Sequence, residues 1–294
     1  MAEADRGDQP EPWTISRVIR WAAEDFAKRG NPSPRLDAEL LLGKVLGVDR
    51  VRLVLDANQP LGASELGEYR ELIRRRRGSE PVAYILGRRE FYGHSFKVDR
   101  RVLVPRPDSE TLVEAALERT KSRFMYGRAV DLCTGSGCIA ISFAKARPTW
   151  RVTATDLSED AAALASENAL RLGAVFGFGV VTGDLFAPVR GQRFELVMSN
   201  PPYIPSGAIA TLDADVRDFE PRLALDGGAD GLSLLSRIVA EAPALLEPGG
   251  VLALEVQYDQ APRVEALLSE HGFDAIARHR DYGGHERVVS GIRT

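Results

Sequence analysis

The sequence predicts an α/β fold, a mostly parallel sheet with helices on both faces, preceded by a small helical bundle. Three observations carry that reading. From residue 129 onward, strand-like apolar runs alternate with helix-length amphipathic segments. The first of those runs ends in a glycine turn that leads straight into a helix. The first 80 residues hold helical periodicity only.

In that first stretch Trp13, Val18, Trp21, Ala22 and Phe26 recur near helical spacing, with Thr14 or Ser16 as candidate N-caps. Gly30, Asn31 and Pro32 stop the helix. A second helix runs from Pro34 to Leu46 and ends at Gly47, and a short third covers 49–55. A fourth starts near Ser64 with Leu66, Tyr69, Leu72 and Ile73 on one face, and closes on the basic run Arg74 to Arg77. Such a run suits a solvated helix end, where positive charge meets the negative end of the dipole; an acidic or nucleic-acid partner is the other reading.

From Ala83 to Val104 the pattern changes. Phe91, Tyr92, Phe96, Val98, Val102 and Val104 are strand-type residues broken by Gly87, Gly93 and Asp99, which reads as a hairpin-like linker. A helix begins after Pro107. Beyond it, strands read at 129–132, 152–155, 180–182, 196–199 and 251–256, and helices at 139–146, 159–172, 232–246 and 261–271. Two late segments, 274–277 and 288–292, pair as a terminal antiparallel hairpin, giving seven strands. The chain thus divides into a helical domain over 1–80, a linker over 81–105 and an α/β domain over 106–294.

Composition narrows the function classes. Of 294 residues, 44% are hydrophobic and 27% charged, enough apolar material for a full core. No apolar run approaches the roughly 20 residues of a membrane span. Residues 1–11 are acidic and polar, unlike a secretory signal, and read as a short disordered tail. The two cysteines, Cys133 and Cys138, flank one turn without further ligands, so no metal site and no disulfide framework are expected, and a reducing cytoplasm is the expected location. The net charge of −4 argues against a protein that lives by gripping phosphate backbones. His94, His271, His279 and His285 show no motif spacing and read as surface or packing residues.

The first strand of the α/β part runs into Asp131-Leu132-Cys133-Thr134-Gly135-Ser136-Gly137, then a helix. In open α/β sheets ligands bind at the carboxyl ends of strands, and glycines let the backbone approach them. Asp156 ends the next strand, about 20 residues on, where a carboxylate can accept from both hydroxyls of a ribose. Spacing alone also fits a dinucleotide enzyme, since Ala140 occupies the third position of that fingerprint. The turn is acidic, however: Asp131 could hold the amino group of a methionine moiety. Asp184 could accept from an adenine amino group, with Leu185 and Phe186 as an apolar wall. Three carboxylates near the ends of three successive strands favour a cationic, phosphate-free adenosyl ligand, S-adenosylmethionine.

The fourth strand ends in Asn200-Pro201-Pro202-Tyr203. A rigid extended turn is the bland explanation. The chemical one is stronger at this position. An amide or base-amino nitrogen is a poor nucleophile because its lone pair is delocalised. The Asn200 side-chain oxygen and the Pro201 carbonyl can each accept one of its N–H bonds, and the prolines fix those acceptors in advance. Tyr203 offers a flat face for a planar group.

These residues carry a family resemblance. The chain resembles the peptide-chain release factor glutamine methyltransferases from about Trp13 to Ile292. Pro34-Arg35-Leu36-Asp37-Ala38-Glu39-Leu40-Leu41, Pro81 to Gly87, Glu90 to Gly93 and Val104-Pro105-Arg106-Pro107-Asp108-Ser109-Glu110 match its earlier segments. Glu220-Pro221, Leu225 to Gly228 and Asp230-Gly231-Leu232 match its later ones. The resemblance implies a Rossmann-like class I S-adenosylmethionine-dependent methyltransferase. It implies methyl transfer to the side-chain amide of the glutamine in a release factor's Gly-Gly-Gln loop, which modulates translation termination. It implies cofactor contacts at Cys133, Thr134, Gly135, Ser136, Gly137, Asp156, Leu185 and Asn200. Glutamine contacts fall at Asn200, Pro201, Pro202 and Tyr203, and the helical part helps hold the release factor. The chain departs from the family at Cys133, where a glycine is usual, at Glu255-Val256-Gln257, where a glycine tends to follow Glu-Ile, and at Leu185, sometimes aromatic.

The alternative is an amino methyltransferase acting on adenine or guanine in DNA or ribosomal RNA, which needs the same tetrapeptide and a way to grip a backbone and flip a base. The acidic pI of about 5.7 counts against it, and no direct nucleic-acid binding is expected. A non-catalytic cofactor-binding adaptor would not need an intact Asn200 to Tyr203.

Overall fold

The computed structural model describes residues 12–122 and 125–294, so the acidic segment read as a tail, 1–11, lies outside the described residues. The chain divides into two compact units, Met1–Leu86 and Gly87–Thr294.

The first unit holds α1 (Ile15–Lys28), α2 (Pro34–Leu46), α3 (Arg50–Leu55), α4 (Ala63–Arg77) and the short α5 (Val82–Leu86). Thr14, not Ser16, caps α1, its side chain accepting from the Arg17 N–H. Gly47 closes α2 in the left-handed region. The helices bury Phe26, Leu41, Leu42, Tyr69 and Ile85 against one another, and the Tyr69 hydroxyl donates to the Ala38 carbonyl at 3.0 Å.

Two tryptophans do not join that core. The buried stripe of α1 is Ile15, Val18, Ile19, Ala22 and Phe26; Trp21 falls on its flank and Trp13 precedes the helix. They stay 40% and 44% exposed for Trp13 and Trp21 and meet edge to face, with Arg17 and Arg77 stacked on them. The basic run is spoken for within the chain. Arg74 pairs with Glu71, Arg75 with Glu80, Arg76 with Asp37 and Arg77 with Asp25, which favours the helix-end reading over an acidic partner.

The second unit opens with a hairpin, β1 (Arg88–Phe91) and β2 (His94–Lys97). Val98, Val102 and Val104, read as strand residues, lie outside any strand. A turn in which the Val102 N–H donates to the Asp99 carbonyl breaks the extended run, and loop packing alone buries the three valines. After one 3-10 turn come α6 (Glu110–Thr120), β3 (Arg128–Leu132), α7 (Cys138–Ala146), β4 (Arg151–Asp156), α8 (Glu159–Leu172), β5 (Phe178–Thr182) and β6 (Phe194–Ser199). Then follow α9 (Ala214–Arg217), α10 (Ser233–Leu245), β7 (Leu246–Glu255), α11 (Ala261–Glu270), β8 (Phe273–Arg280) and β9 (Glu286–Arg293).

The seven-stranded sheet has the order β5-β4-β3-β6-β7-β9-β8. The five strands from β5 to β7 are parallel, and β9 runs antiparallel between β7 and β8. Side-chain alternation splits each strand between two cores. Ala129, Leu196, Met198 and Ala253 face α6 and α7, while Val130, Leu132, Val197 and Leu252 face α10 and α11. Residues buried on both faces explain the continuous apolar strands. Sequence order reverses between β3 and β6, and Leu132 is registered against both Thr155 and Ser199. The carboxyl ends of β3, β4 and β6 therefore stand side by side at a topological switch point, where open sheets bind ligands.

Candidate functional site

A cleft open to solvent lies over those strand ends, where ligands bind in open α/β sheets. Among the residues singled out from sequence, Cys133, Thr134, Gly135, Ser136, Asp156, Asp184, Leu185, Asn200 and Pro202 line it. Asp131, Gly137, Pro201 and Tyr203 do not.

The turn after β3 is built by internal hydrogen bonds. Asp131 is fully buried behind it, with Oδ2 accepting from the Thr134 hydroxyl at 2.6 Å. The expected grip of Asp131 on a ligand amino group is thus not made at the cleft wall; a residue inside β3 has its side chain in the sheet's interior. Burial, partly offset by the Thr134 hydroxyl and the Ala140 backbone, pushes the carboxyl up to about 7. Gly137 takes φ of 80°, and a Cβ there would come within 2.9 Å of Ile141 and 3.2 Å of Ala165. Its work is packing α7 against α8, while Gly135 faces open space.

Cys133 adopts φ of 57° and Leu185 φ of 46°. Both occupy the left-handed region, which costs a residue with a Cβ about 1–3 kcal/mol. A glycine would adopt the Cys133 backbone freely, which fits glycine as the residue usual there. The Cys133 thiol is no nucleophile: burial first, then the charges of Asp156 and Asp131, push its pKa well above the ordinary thiol value.

Asp156 is aimed by backbone. Its Oδ2 accepts from the Gly135 N–H at 2.8 Å and its Oδ1 from the Ser158 N–H at 2.9 Å. Burial raises its pKa despite those donors. Asp184 is half exposed and already bound by Arg237 of α10 at 2.7 Å, a partner that no sequence pattern announced.

Asn200 follows β6 directly and lines the cleft, and its Nδ2 donates to the Ser109 hydroxyl at 3.2 Å. The next residues are held from behind. The Gln260 amide donates to the Tyr203 carbonyl at 2.9 Å, and the Ile204 and Gly227 N–H groups donate to the Leu225 and Ile204 carbonyls. Gly227 packs so closely that a Cβ would stand 2.7 Å from Tyr203 Cα and 2.8 Å from the Pro202 carbonyl. The stretch 225–231 is a buttress for the tetrapeptide. Tyr203 turns inward, its hydroxyl donating to Glu255 Oε1 at 3.3 Å and its ring against the α10–α11 core. Stacking of a planar ligand on it, as expected from sequence, is not offered at the cleft wall.

The cleft also takes in Pro105, Arg106 and Ser109 from the segment before α6, and Leu157 and Ala161 after β4. Arg106 is fixed by the buried Glu220 at 2.7 Å. Chemistry alone did not single these residues out; the proline-flanked Val104-Pro105-Arg106-Pro107 was the available signal. None of the four histidines is among the cleft's lining residues.

Comparison with known proteins agrees with this arrangement. Residues 17–87 match the PrmC N-terminal domain and residues 108–215 the Methyltransferase small domain. A release factor glutamine methyltransferase from Geobacter sulfurreducens is 43% identical over 284 residues, 97% of this chain and 98% of that protein. One from Vibrio cholerae is 41% identical over 279 residues, 95% and 96% of the two chains. The solved hMettl16 catalytic domain shares the fold alone, at 15% identity and a TM-score of 0.56 over 69% of this chain and 76% of its own. With two relatives above 40% identity along nearly its whole length, the chain belongs to the release factor glutamine methyltransferase family.

Proposed function

We propose that this enzyme moves a methyl group from S-adenosylmethionine to the side-chain amide nitrogen of the glutamine in a release factor's Gly-Gly-Gln loop. The observation that carries the proposal is the placement of Asn200 on the cleft, at the end of the strand registered beside β3 and its glycine turn.

The residues fit the cofactor. Asp131 and Asp156 have raised pKa values because burial outweighs their hydrogen bonds and no cation among the described residues offsets it. A positively charged ligand would relieve both. Asp156, held by backbone donors on both oxygens, keeps lone pairs for ribose hydroxyls. When bound, S-adenosylmethionine supplies an electrophilic methyl on a sulfonium.

The chain's own part is orientation. Asn200 Oδ1, on the cleft wall, accepts one N–H of the target amide. The carbonyl of Pro201, between the lining residues Asn200 and Pro202, is the second acceptor once substrate is seated, which holds the nitrogen with its lone pair freed toward the methyl. The buttress keeps these acceptors in place before the substrate arrives, so no reorganisation is needed as charge develops. The product nitrogen sheds its extra proton to water through the open cleft. Among the described residues, those of the helical unit supply none of the cleft lining, which suits the unit to holding the protein substrate. Incubating the enzyme with a release factor and labelled cofactor, then sequencing the peptides by mass spectrometry, tests the proposal; unlabelled glutamine would refute it.

A further inference from the structure

We propose that Ser109 and Glu255 are positioning residues that fix which way round the Asn200 amide sits, leaving its oxygen for the substrate. This rests on the function proposed above and adds two residues with no role in it.

An asparagine amide has nearly the same shape when flipped, so shape alone does not choose the end that meets the target nitrogen. Wrongly flipped, it would offer a donor to a donor. The choice falls to what lies behind it. Asn200 Nδ2 donates to Ser109 Oγ at 3.2 Å. The Ser109 side chain in turn lies beside the Glu255 carboxyl and favours its charged form, and the Tyr203 hydroxyl donates to Glu255 Oε1 at 3.3 Å. Ser109 and Glu255 are 2% and 1% exposed, so water does not stand in for these partners.

Proton counting gives the direction. A serine hydroxyl has one proton to give, and a carboxylate can only accept. The Ser109 proton therefore goes to Glu255, and Ser109 has only lone pairs left for Asn200. Only the NH₂ end of the amide can meet a lone pair. A protonated Glu255 could instead donate to Ser109, freeing the Ser109 proton for Asn200 Oδ1, and the flipped amide would cost nothing. The charge on Glu255 thus sets the sense of the chain.

The surroundings bring that charge into the working range. Glu255, on β7, is faced by Asp108 and Ser109 before α6, Tyr203 after β6, Arg287 on β9 and Cys138 at the start of α7. Arg287 favours the charged form and Asp108 opposes it; Arg287 is itself shared between Asp281 at 3.1 Å and Asp108 at 3.4 Å. Burial outweighs these groups and pushes the carboxyl up to about 7. Glu255 Oε2 has no partner to hold it lower.

The test is the pH dependence of kcat on an intact release factor, from about pH 6 to about pH 9, with cofactor Kd followed alongside. The wild type should rise through an apparent pKa near 7. Ser109→Ala and Glu255→Gln should both lose that acid limb, with kcat lowered about tenfold or more and cofactor Kd changed less than about twofold. A general structural defect would move Kd and melting temperature but leave the limb. Should Glu255→Gln fail to fold, Ser109→Ala, which removes a single oxygen, decides alone. A folded variant that keeps wild-type kcat or the acid limb overturns the inference. A wild type inactive on the release factor at every pH overturns the parent proposal instead.

Discussion

Asn200 and Asp156 share a cleft but are asked for different things. Asn200 offers its acceptor to the reacting amide, so Asn200→Ala should lower kcat by about 10²-fold or more, the scale for losing one preorganised polar contact, with little change in cofactor Kd. Turnover near that of the wild type would contradict the role. Asp156 is aimed by the Gly135 and Ser158 amides, and Asp156→Ala should weaken cofactor binding by about 1.5–3 kcal/mol in calorimetric titration. Both residues were legible in the sequence because each ends a strand of a parallel sheet. Asp131 was only half legible. Its acidity showed, but its inward direction is set by the pleat and by Thr134. The Asn200–Ser109–Glu255 chain was not legible at all, because it joins residues from three distant segments.

At the scale of elements, the buttress under the tetrapeptide decides whether the acceptors stay put. Gly227→Ala would drive a methyl against Tyr203 Cα and the Pro202 carbonyl, and overpacking of that kind costs about 1–3 kcal/mol. Thermal melts and kcat should both fall. Gly207→Ala, where a Cβ meets nothing within 4 Å, should leave both unchanged; equal behaviour of the two variants would sink the buttress. Helix limits were readable where a cap or breaker marked them, as at Pro34 and Gly47. The start of β7 was not. It begins at Leu246 rather than 251, across Pro248 and two glycines, and tolerates them through a register shift opposite Phe194.

For the molecule as a whole, burial of two carboxyls links stability to pH. Asp131 and Glu255 are raised to about 7, so the folded state binds more protons than the unfolded one above the ordinary carboxylate range. Stability should then fall as pH rises from about 5.5 to about 8. Carboxylates held low by arginine, such as Asp25 and Asp99, act in the opposite sense but only below that window. Melting temperatures measured without cofactor at constant ionic strength check this; a rise across the window would contradict it. The two-unit division leads to a further expectation. An enzyme lacking residues 1–86 should still bind cofactor and methylate a short glutamine peptide, yet lose most activity on the intact release factor, because remote contacts contribute to transition-state binding. Equal loss on both substrates would make the helical unit part of the catalytic fold.

The most direct measurement is peptide mass spectrometry of a release factor incubated with labelled S-adenosylmethionine and either the wild type or Asn200→Ala. The wild type should add one labelled methyl group, on the glutamine of the Gly-Gly-Gln loop, and the variant should add almost none in the same time. Label on another residue, or equal labelling of the glutamine by both enzymes, would contradict a cleft in which Asn200 presents that amide for methylation.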